Sequence, residues 1–497
     1  MKKWRTLITA LGLAGSLGIA QGHSNAAKKP NFIFFIADDV SQEDIGCYGH
    51  PSIKTPNIDA LAANGMRFKN AYLTVSSCSP SRCSILTGRY PHNTGAPELH
   101  TKLPSAQVRF PELLRESGYY TVLSGKNHMV GNKDRCFDEI TKGGGPGKEE
   151  DWVAHVQKRP KNKPFFFWFA ANDAHRPWDR SEGIHFPDIK DVIVPPYLVD
   201  TNATRMDLAE YYHEVSRFDH YIGLIKRELE KQKVLDNTLI VVAADNGRPF
   251  PRSKARLFDS GIKTPWIVHF PDMVKKAGVS DSLVSSIDLS ATCLELAGIK
   301  KTSCIQGVSF IPILKNPKQT VREMVFAEQN WHVYKNHSRL VRFGNFAYIK
   351  NSYSNQANLS TESDDTFPAG NELWKAHAAG KTNAKQQQVF VNPCPTEELY
   401  NVSRDPDQFV NLASNPEYTS VLKKARTQLE MWGEQTGDSV PKKPTLNRFA
   451  APFIKDGSII KPKRNKANKV RGEMPGDATN ATGINHPGPI ILGSGLK

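Results

Sequence analysis

No run of about 18 uninterrupted apolar residues occurs in the chain, so nothing in it reads as a membrane-crossing helix. Cysteine is scarce: seven residues in 497 are too few to staple a chain of this size, which excludes a disulfide scaffold. The close pair Cys293 and Cys304 could bridge in an oxidising compartment or remain two reduced buried thiols. Acidic residues run short as well, 50 Asp and Glu against 65 Lys and Arg, for a formal net charge of +15. There is no internal repeat and no compact nucleic-acid-binding motif, so the basic excess is not read as a nucleic-acid surface.

What is present begins with Met-Lys-Lys-Trp-Arg, an apolar run from Leu7 to about Ala20, and small residues up to Ala26 and Ala27. That order is a secretory signal peptide over residues 1–27, and it predicts a periplasmic or secreted protein of bacterial type. No cysteine closes the apolar run, so no lipid anchor is expected there. The charge is concentrated at the other end, where eleven Lys and Arg face three Asp and Glu from Pro441 onward. Without the leader's three charges and the tail's eight, only +4 remains on the rest. An exported basic protein is expected to meet an anionic surface or a sulfated or carboxylated polymer.

With 39% hydrophobic residues the chain can bury a large core. The runs FIFFIA (Phe32–Ala37), PFFFWFA (Pro164–Ala170) and TLIVVAA (Thr238–Ala244) read as strands buried on both faces. Helix signals separate them: Thr55 and Pro56 before Gly65, Pro111 before Gly118, and a charged amphipathic stretch from Arg205 to Lys231. The alternation predicts an α/β domain with a mainly parallel sheet sandwiched by helices over residues 28–316. MVFAEQ, RLVRFG, FAYIKN and a helix over about 417–432 predict a smaller α+β domain over 317–440, and residues 441–497 read as a basic extended arm.

Each buried run ends in polar residues: Asp38 and Asp39 after the first, Asn172 to His175 after the second, Asp245 and Asn246 after the third. In open parallel sheets sites form at the carboxyl ends of strands, so these groups can converge. Three carboxylates and an amide oxygen make a hard oxygen cluster suited to calcium or magnesium rather than zinc. A further stretch, SSCSPSRCSILTG, sets Cys78 before Pro80 at a helix start, with Gly88 at its end. Cys78 and Arg82 are four apart and share a helical face, where the helix N-terminus favours an anion: a thiolate, a product of the thiol, or a bound oxyanion. Cys83, inside the same helix, reads as a buried structural thiol.

Cys78-Ser79-Pro80-Ser81-Arg82 followed by Leu86-Thr87-Gly88-Arg89 resembles the signature of the type I sulfatases, whose cysteine becomes formylglycine (3-oxoalanine). The aspartate pair, SGKNH (Ser124–His128), DAHRP (Asp173–Pro177) and ADNG (Ala244–Gly247) follow in family order, over about residues 30–410. Within the family, VSSCSPSR, AHRP and DNGRPFPRSK are most similar to the heparan N-sulfatases, or sulfamidases. The resemblance implies an alkaline-phosphatase-like fold and sulfate hydrolysis on a sulfated oligosaccharide or polysaccharide. It also implies a Ca2+ ion on Asp38, Asp39, Asp245 and Asn246, with the modified Cys78 beside it, and a formylglycine-generating enzyme as maturation partner.

By the same resemblance Arg82 stabilises the nucleophilic oxygen and Lys126 neutralises the sulfate. His128 is the base, His175 the acid, and Lys254 a sulfate-binding cation flanked by Arg252 and Arg256. Residues placed to read the sugar are Glu98, His100 and His332, with Arg176, Glu328, His337 and Arg339 as further candidates. O-sulfate and N-sulfate both remain open. So do a phosphoester hydrolase on the related architecture, disfavoured by the intact cysteine signature, and a glycan-binding protein exported with Cys78 unmodified. The basic arm either wraps back over the cleft or lies on the surface.

Overall fold

The computed structural model describes residues 29–131, 133–357, 359–360, 362, 366–461, 470–476 and 488. The leader read at residues 1–27 lies outside the described residues, as do 462–469, 477–487 and 489–497 of the arm. Eight strands form the main sheet: β1 (Asn31–Ala37), β2 (Met66–Tyr72), β3 (Tyr120–Gly125), β4 (Glu139–Thr141), β5 (Phe165–Ala170), β6 (Thr238–Ala244), β7 (Ile267–His269) and β8 (Gly278–Ser285). Their order is β4-β3-β5-β1-β6-β7-β2-β8. All neighbours pair parallel except β7, which runs antiparallel to both β6 and β2.

The three apolar runs are the central strands β5, β1 and β6, and their continuity follows from burial on both faces. Phe32, Phe34 and Ile36 enter one core, whereas Ile33 and Phe35 enter the other, because successive side chains point to opposite faces. On the first face Phe34 meets Trp168 edge-on at 4.9 Å between ring centroids. On the second, Trp152 stacks on Phe169 at 5.1 Å beneath the long helix Asn202–Lys231.

A second sheet follows in the chain, antiparallel in the order β12-β11-β10-β9: β9 (Met324–Gln329), β10 (Ser338–Phe343), β11 (Phe346–Asn351) and β12 (Glu397–Asn401). The helix Thr419–Thr436 packs on it through Leu422, Ala425, Leu429 and Trp432, the last stacked on Phe326 at 5.2 Å. Glu328 N–H donates to the Thr74 carbonyl at 2.8 Å and so ties β9 to the main body. The fold class is thus the one expected, with a mostly parallel, helix-flanked sheet and a small antiparallel sheet C-terminal to it. Cys293 and Cys304 stand as separate thiols, Cys293 buried in the first core. The arm carries a short hairpin, Phe453–Lys455 with Ser458–Ile460, and a parallel bridge between Pro444 and Glu473.

Candidate active site

Four neighbouring strands, β3, β5, β1 and β6, deliver their C-terminal residues to one edge of the sheet. The ladder continues past the strand ends, which fixes the following side chains. Lys126 N–H donates to Ala170 O (2.9 Å), Asp38 N–H to Asp173 O (2.7 Å), and Asp245 N–H to Ala37 O (3.1 Å). Asp39 takes up a left-handed backbone (φ 60°), which a short polar residue tolerates best after glycine. The helix Cys78–Thr87 points its N-terminus at this edge, starting at Cys78 and closing on Gly88, left-handed at φ 66°. Its free N–H groups and positive dipole end therefore face the carboxylates.

The side chains interlock. Arg82 Nε donates to Asp245 Oδ2 at 2.6 Å and its Nη2 lies 3.6 Å from Asp38 Oδ2. Lys254 Nζ donates to Asp39 Oδ2 at 2.6 Å, and Lys126 forms a close ion pair with Asp38. Asn246 Nδ2 donates to Asp39 Oδ1 at 2.7 Å, and the Cys78 thiol lies 3.8 Å from that oxygen. Burial pushes Asp39 and Asp245 up to about 6, against the pull of Lys254 and Arg82 respectively. Burial also raises Asp38, but Lys126, His175, Arg82 and Lys254 together outweigh it and hold that carboxyl well below the usual range. The Cys78 thiol, 2% exposed, is pushed well above its ordinary value by burial and is not a ready thiolate.

Two observations test whether this set fits a cation. Asp38 Oδ1 and Asn246 Oδ1 are buried oxygens with no hydrogen-bond partner among the described residues, an expensive condition unless something else meets them. Ligand atoms of Asp38, Cys78 and Asp245 lie within 4.8 Å of one another. The set fits a hard divalent ion, with sulfur the one soft donor among oxygens.

His175 Nδ1 donates to the Arg176 carbonyl at 2.5 Å, leaving Nε2 as the nitrogen that exchanges a proton. Burial, then Lys254 and Lys126, lower His175 to about 3, and burial with Lys126 does the same to His128. His128 Nε2 is 2.7 Å from His100 Nδ1, and His332 Nδ1 is 2.7 Å from Ser77 Oγ, so both further histidines border the site. Lys254 also lies 3.8 Å from Glu362. Neither Ser77 nor Glu362 stood out in the sequence, since a hydroxyl beside the signature and a lone acid in a polar loop carry no spacing signal.

The remaining candidates sit elsewhere. Glu98 is 3% exposed, and its carboxylate is taken by Thr445 and Arg471. Arg176 is clamped on Asp207 and stacked over Trp178 and Phe367. Glu328 and Arg339 belong to a buried group with His92 and Asp438: Glu328 Oε1 is 3.1 Å from His92 Nδ1, and Arg339 Nε is 2.6 Å from Asp438. His337 is bonded to Ser352 and the Ser439 carbonyl. Arg252 donates to the Gln408 and Asp407 carbonyls and lies over the Phe258 ring, away from the carboxylates.

A carboxylate and amide cluster at the strand ends, with a helix N-terminus and three cations aimed into it, has the chemistry that suits a tetrahedral oxyanion. The family model described as Sulfatase matches residues 30–299, more than half of the chain. The chain belongs to the sulfatase family. This sulfatase also matches, over residues 252–353, the model described as N-sulphoglucosamine sulphohydrolase, C-terminal. It is 30% identical to human N-sulphoglucosamine sulphohydrolase, over 83% of this chain and 91% of the relative. It is 28% identical to an ulvan-active sulfatase of Formosa agariphila, over 85% of this chain and 78% of the relative. Among solved structures, one in complex with its substrate D-glucosamine-2-N,6-O-disulfate superposes with a TM-score of 0.65 at 20% identity, covering 82% of this chain and 98% of the other. As a sulfatase the protein is a sulfuric ester hydrolase, and the sulfatases it resembles act on sulfated glycans.

Proposed function

We propose that this is an exported, calcium-dependent sulfatase that removes O- or N-linked sulfate from a glycan. Its Cys78 is converted to formylglycine by a formylglycine-generating enzyme before use. The observation that carries the reading is Cys78 itself: a protonated, buried thiol at a helix N-terminus, the single sulfur in a cluster of hard oxygen donors and cations. An oxygen at that position matches the donor set, and a thiol does not.

Asp38, Asp39, Asp245 and Asn246 would hold the calcium, which supplies positive charge to sulfate oxygens. The hydrated aldehyde at position 78 supplies an oxygen nucleophile in a reaction split into two easier steps. Arg82, four residues on and locked by Asp245, holds a positive charge against that oxygen. Lys126 and Lys254 neutralise the sulfate from two other sides. His175, with Nδ1 fixed on a carbonyl, carries at Nε2 the proton that goes to the leaving oxygen or nitrogen. Sulfate entry adds the negative charge that raises the affinity of His175 for this proton, against the lowering by burial, Lys254 and Lys126. His128 takes the proton released when sulfate departs, and His100 beside it fixes its ring. The leader-like residues 1–27 support export, and we assign 28–316 to the catalytic domain, 317–440 to the smaller domain and 441–497 to the arm.

The match at residues 252–353 favours, as a narrower reading, hydrolysis of N-sulfoglucosamine on heparan-type chains. Sulfate release measured by ion chromatography tests both. The protein is co-produced with a formylglycine-generating enzyme and offered N-sulfated glucosamine and a panel of O-sulfated oligosaccharides, including ulvan fragments. Release that is lost in Cys78→Ala, and lost on chelation but restored by calcium, is expected. Release from the N-sulfated sugar alone establishes the narrower reading, and release from O-sulfated sugars alone removes it. Full activity in Cys78→Ala sinks the proposal as a whole.

A further inference from the structure

The last described segments of the chain return to the face that carries the site. Leu99 N–H donates to the Trp331 carbonyl (3.2 Å), so the 98–101 and 331–334 segments lie side by side and present His100 and His332. The arm crosses this pair. Trp331 Nε1 donates to Leu446 O (2.9 Å), Lys335 N–H to Asn447 Oδ1 (2.6 Å), and Arg448 N–H to Val333 O (2.7 Å). Phe449 and Ala451 pack on a small core of Leu99, Trp331, Val333 and Tyr334. Further along, Arg471 Nη1 donates to Glu98 Oε2 at 3.1 Å while its guanidinium covers the Trp331 ring at 4.3 Å. Thr445 donates to the same carboxylate oxygen at 2.8 Å.

The two arm arginines are used differently. Arg471 is consumed by its anchor: a carboxylate, the Leu99 carbonyl and an aromatic face. Arg448 is pinned by its backbone, and among the described residues its guanidinium meets the Phe449 ring at 5.4 Å and no carboxylate. It stands close enough to His100 to help burial disfavour that ring's protonation, as Arg471, Lys126 and Lys254 also do. Arg176, Arg217 and Arg339 are locked on carboxylates, and Arg252 is spent on the Asp407 and Gln408 carbonyls. A guanidinium carried to the rim of an oxyanion site by a pinned backbone, and meeting no carboxylate among the described residues, is suited to a second oxyanion.

We infer that Arg448, delivered by the docked arm, binds a second anionic group of the saccharide, a carboxylate or a further sulfate next to the one removed. The substrate class is therefore a saccharide with at least two negative groups, one for the catalytic pocket and one for the rim. This rests on the proposed sulfatase reading and deepens it. Glu98 acts here through Arg471 and Thr445, positioning the arm without touching sugar.

The test is a binding titration by calorimetry, with Cys78→Ala as host so that turnover plays no part. The probes are matched pairs: glucosamine-2-N-sulfate against glucosamine-2-N,6-O-disulfate, and a sulfated ulvan disaccharide against its carboxyl-reduced form. The host is expected to prefer the doubly charged member of one pair by roughly ten- to hundred-fold, the worth of a charge-assisted contact. Arg448→Ala in that host should abolish the preference, Arg448→Lys should recover part of it, and Lys455→Ala, which removes an equal charge from the exposed hairpin, should leave it in place. Which pair responds separates sulfate from carboxylate. No preference in the host, or an equal preference with Arg448→Ala, overturns the inference. Sulfate release by the Cys78 protein is scored separately, so a failure of the sulfatase reading is distinguishable from a failure at the rim.

Discussion

Four candidate site residues, Lys126, His175, Asp38 and Asp245, follow the ends of four neighbouring strands, and each is held by at least one bond that its own side chain does not make. His175 shows what such support is for. Its Nδ1 is spent on a backbone carbonyl, so only Nε2 is available to carry a proton outward. His175→Gln keeps the shape and removes the transferable proton. The expected result is a fall in kcat of about 10²- to 10⁴-fold, the usual range for a general acid, with KM changed little. A loss confined to KM would make His175 a binding group instead. At this scale the sequence was informative where a chemical group had to sit at a strand end or a helix start, as at Asp38, Asp245 and Cys78. It was uninformative where the partner decides the role. Glu98 and Arg176 look like free polar residues beside the signature and His175, yet one anchors the arm and the other is sealed against Asp207.

Elements divide along the same line. The strands β5, β1 and β6 were legible because burial on both faces leaves a continuous apolar run, and the signature helix because Pro80 and Gly88 punctuate it. The three-residue β7 was not, since a short strand wedged antiparallel between parallel ones leaves no periodicity to read. Nor was the true cap of the helix Pro56–Ala63. Thr55 has the right type and place, but its hydroxyl accepts from Gly46 N–H and donates to Asp59. The capping carboxylate comes from the long helix, 161 residues away, where Asp219 accepts from Ile58 N–H (2.7 Å) and from the Asn57 backbone and amide. Asp219→Ala strands these buried donors and is expected to cost about 1–3 kcal/mol, read as a lower midpoint in urea unfolding at unchanged slope. An unchanged midpoint would return the capping role to Thr55.

For the molecule as a whole, the buried group of His92, Glu328, Arg339 and Asp438 joins the turn after the signature helix to the second sheet and to the end of the helix Thr419–Thr436. Burial lowers the His92 pKa, but Glu328 and Asp438 outweigh it and raise it. Stability from His92 is therefore fully present below about pH 6.5 and is lost as pH rises through its raised value. Glu328 and Asp438 are both held low, by His92 and Arg339 against burial, so their contribution is present above about pH 4 and is lost on acidification through their depressed values. Glu328→Gln should lower Tm across the plateau between these limits, at a cost of about 3–5 kcal/mol for a broken buried pair. It should also move the alkaline decline to lower pH, because His92 loses its main counter-charge. A Tm profile that merely drops, with its alkaline limb in place, would assign that limb to another group.

The arm adds an order in time to this architecture. The Glu98–Arg471 contact spans 373 positions, so a ribosome has made every catalytic candidate long before the residue that pins the rim exists. Cys78 is almost inaccessible in the finished fold, and the rim, which needs Arg471, is the last part of the pocket to be assembled.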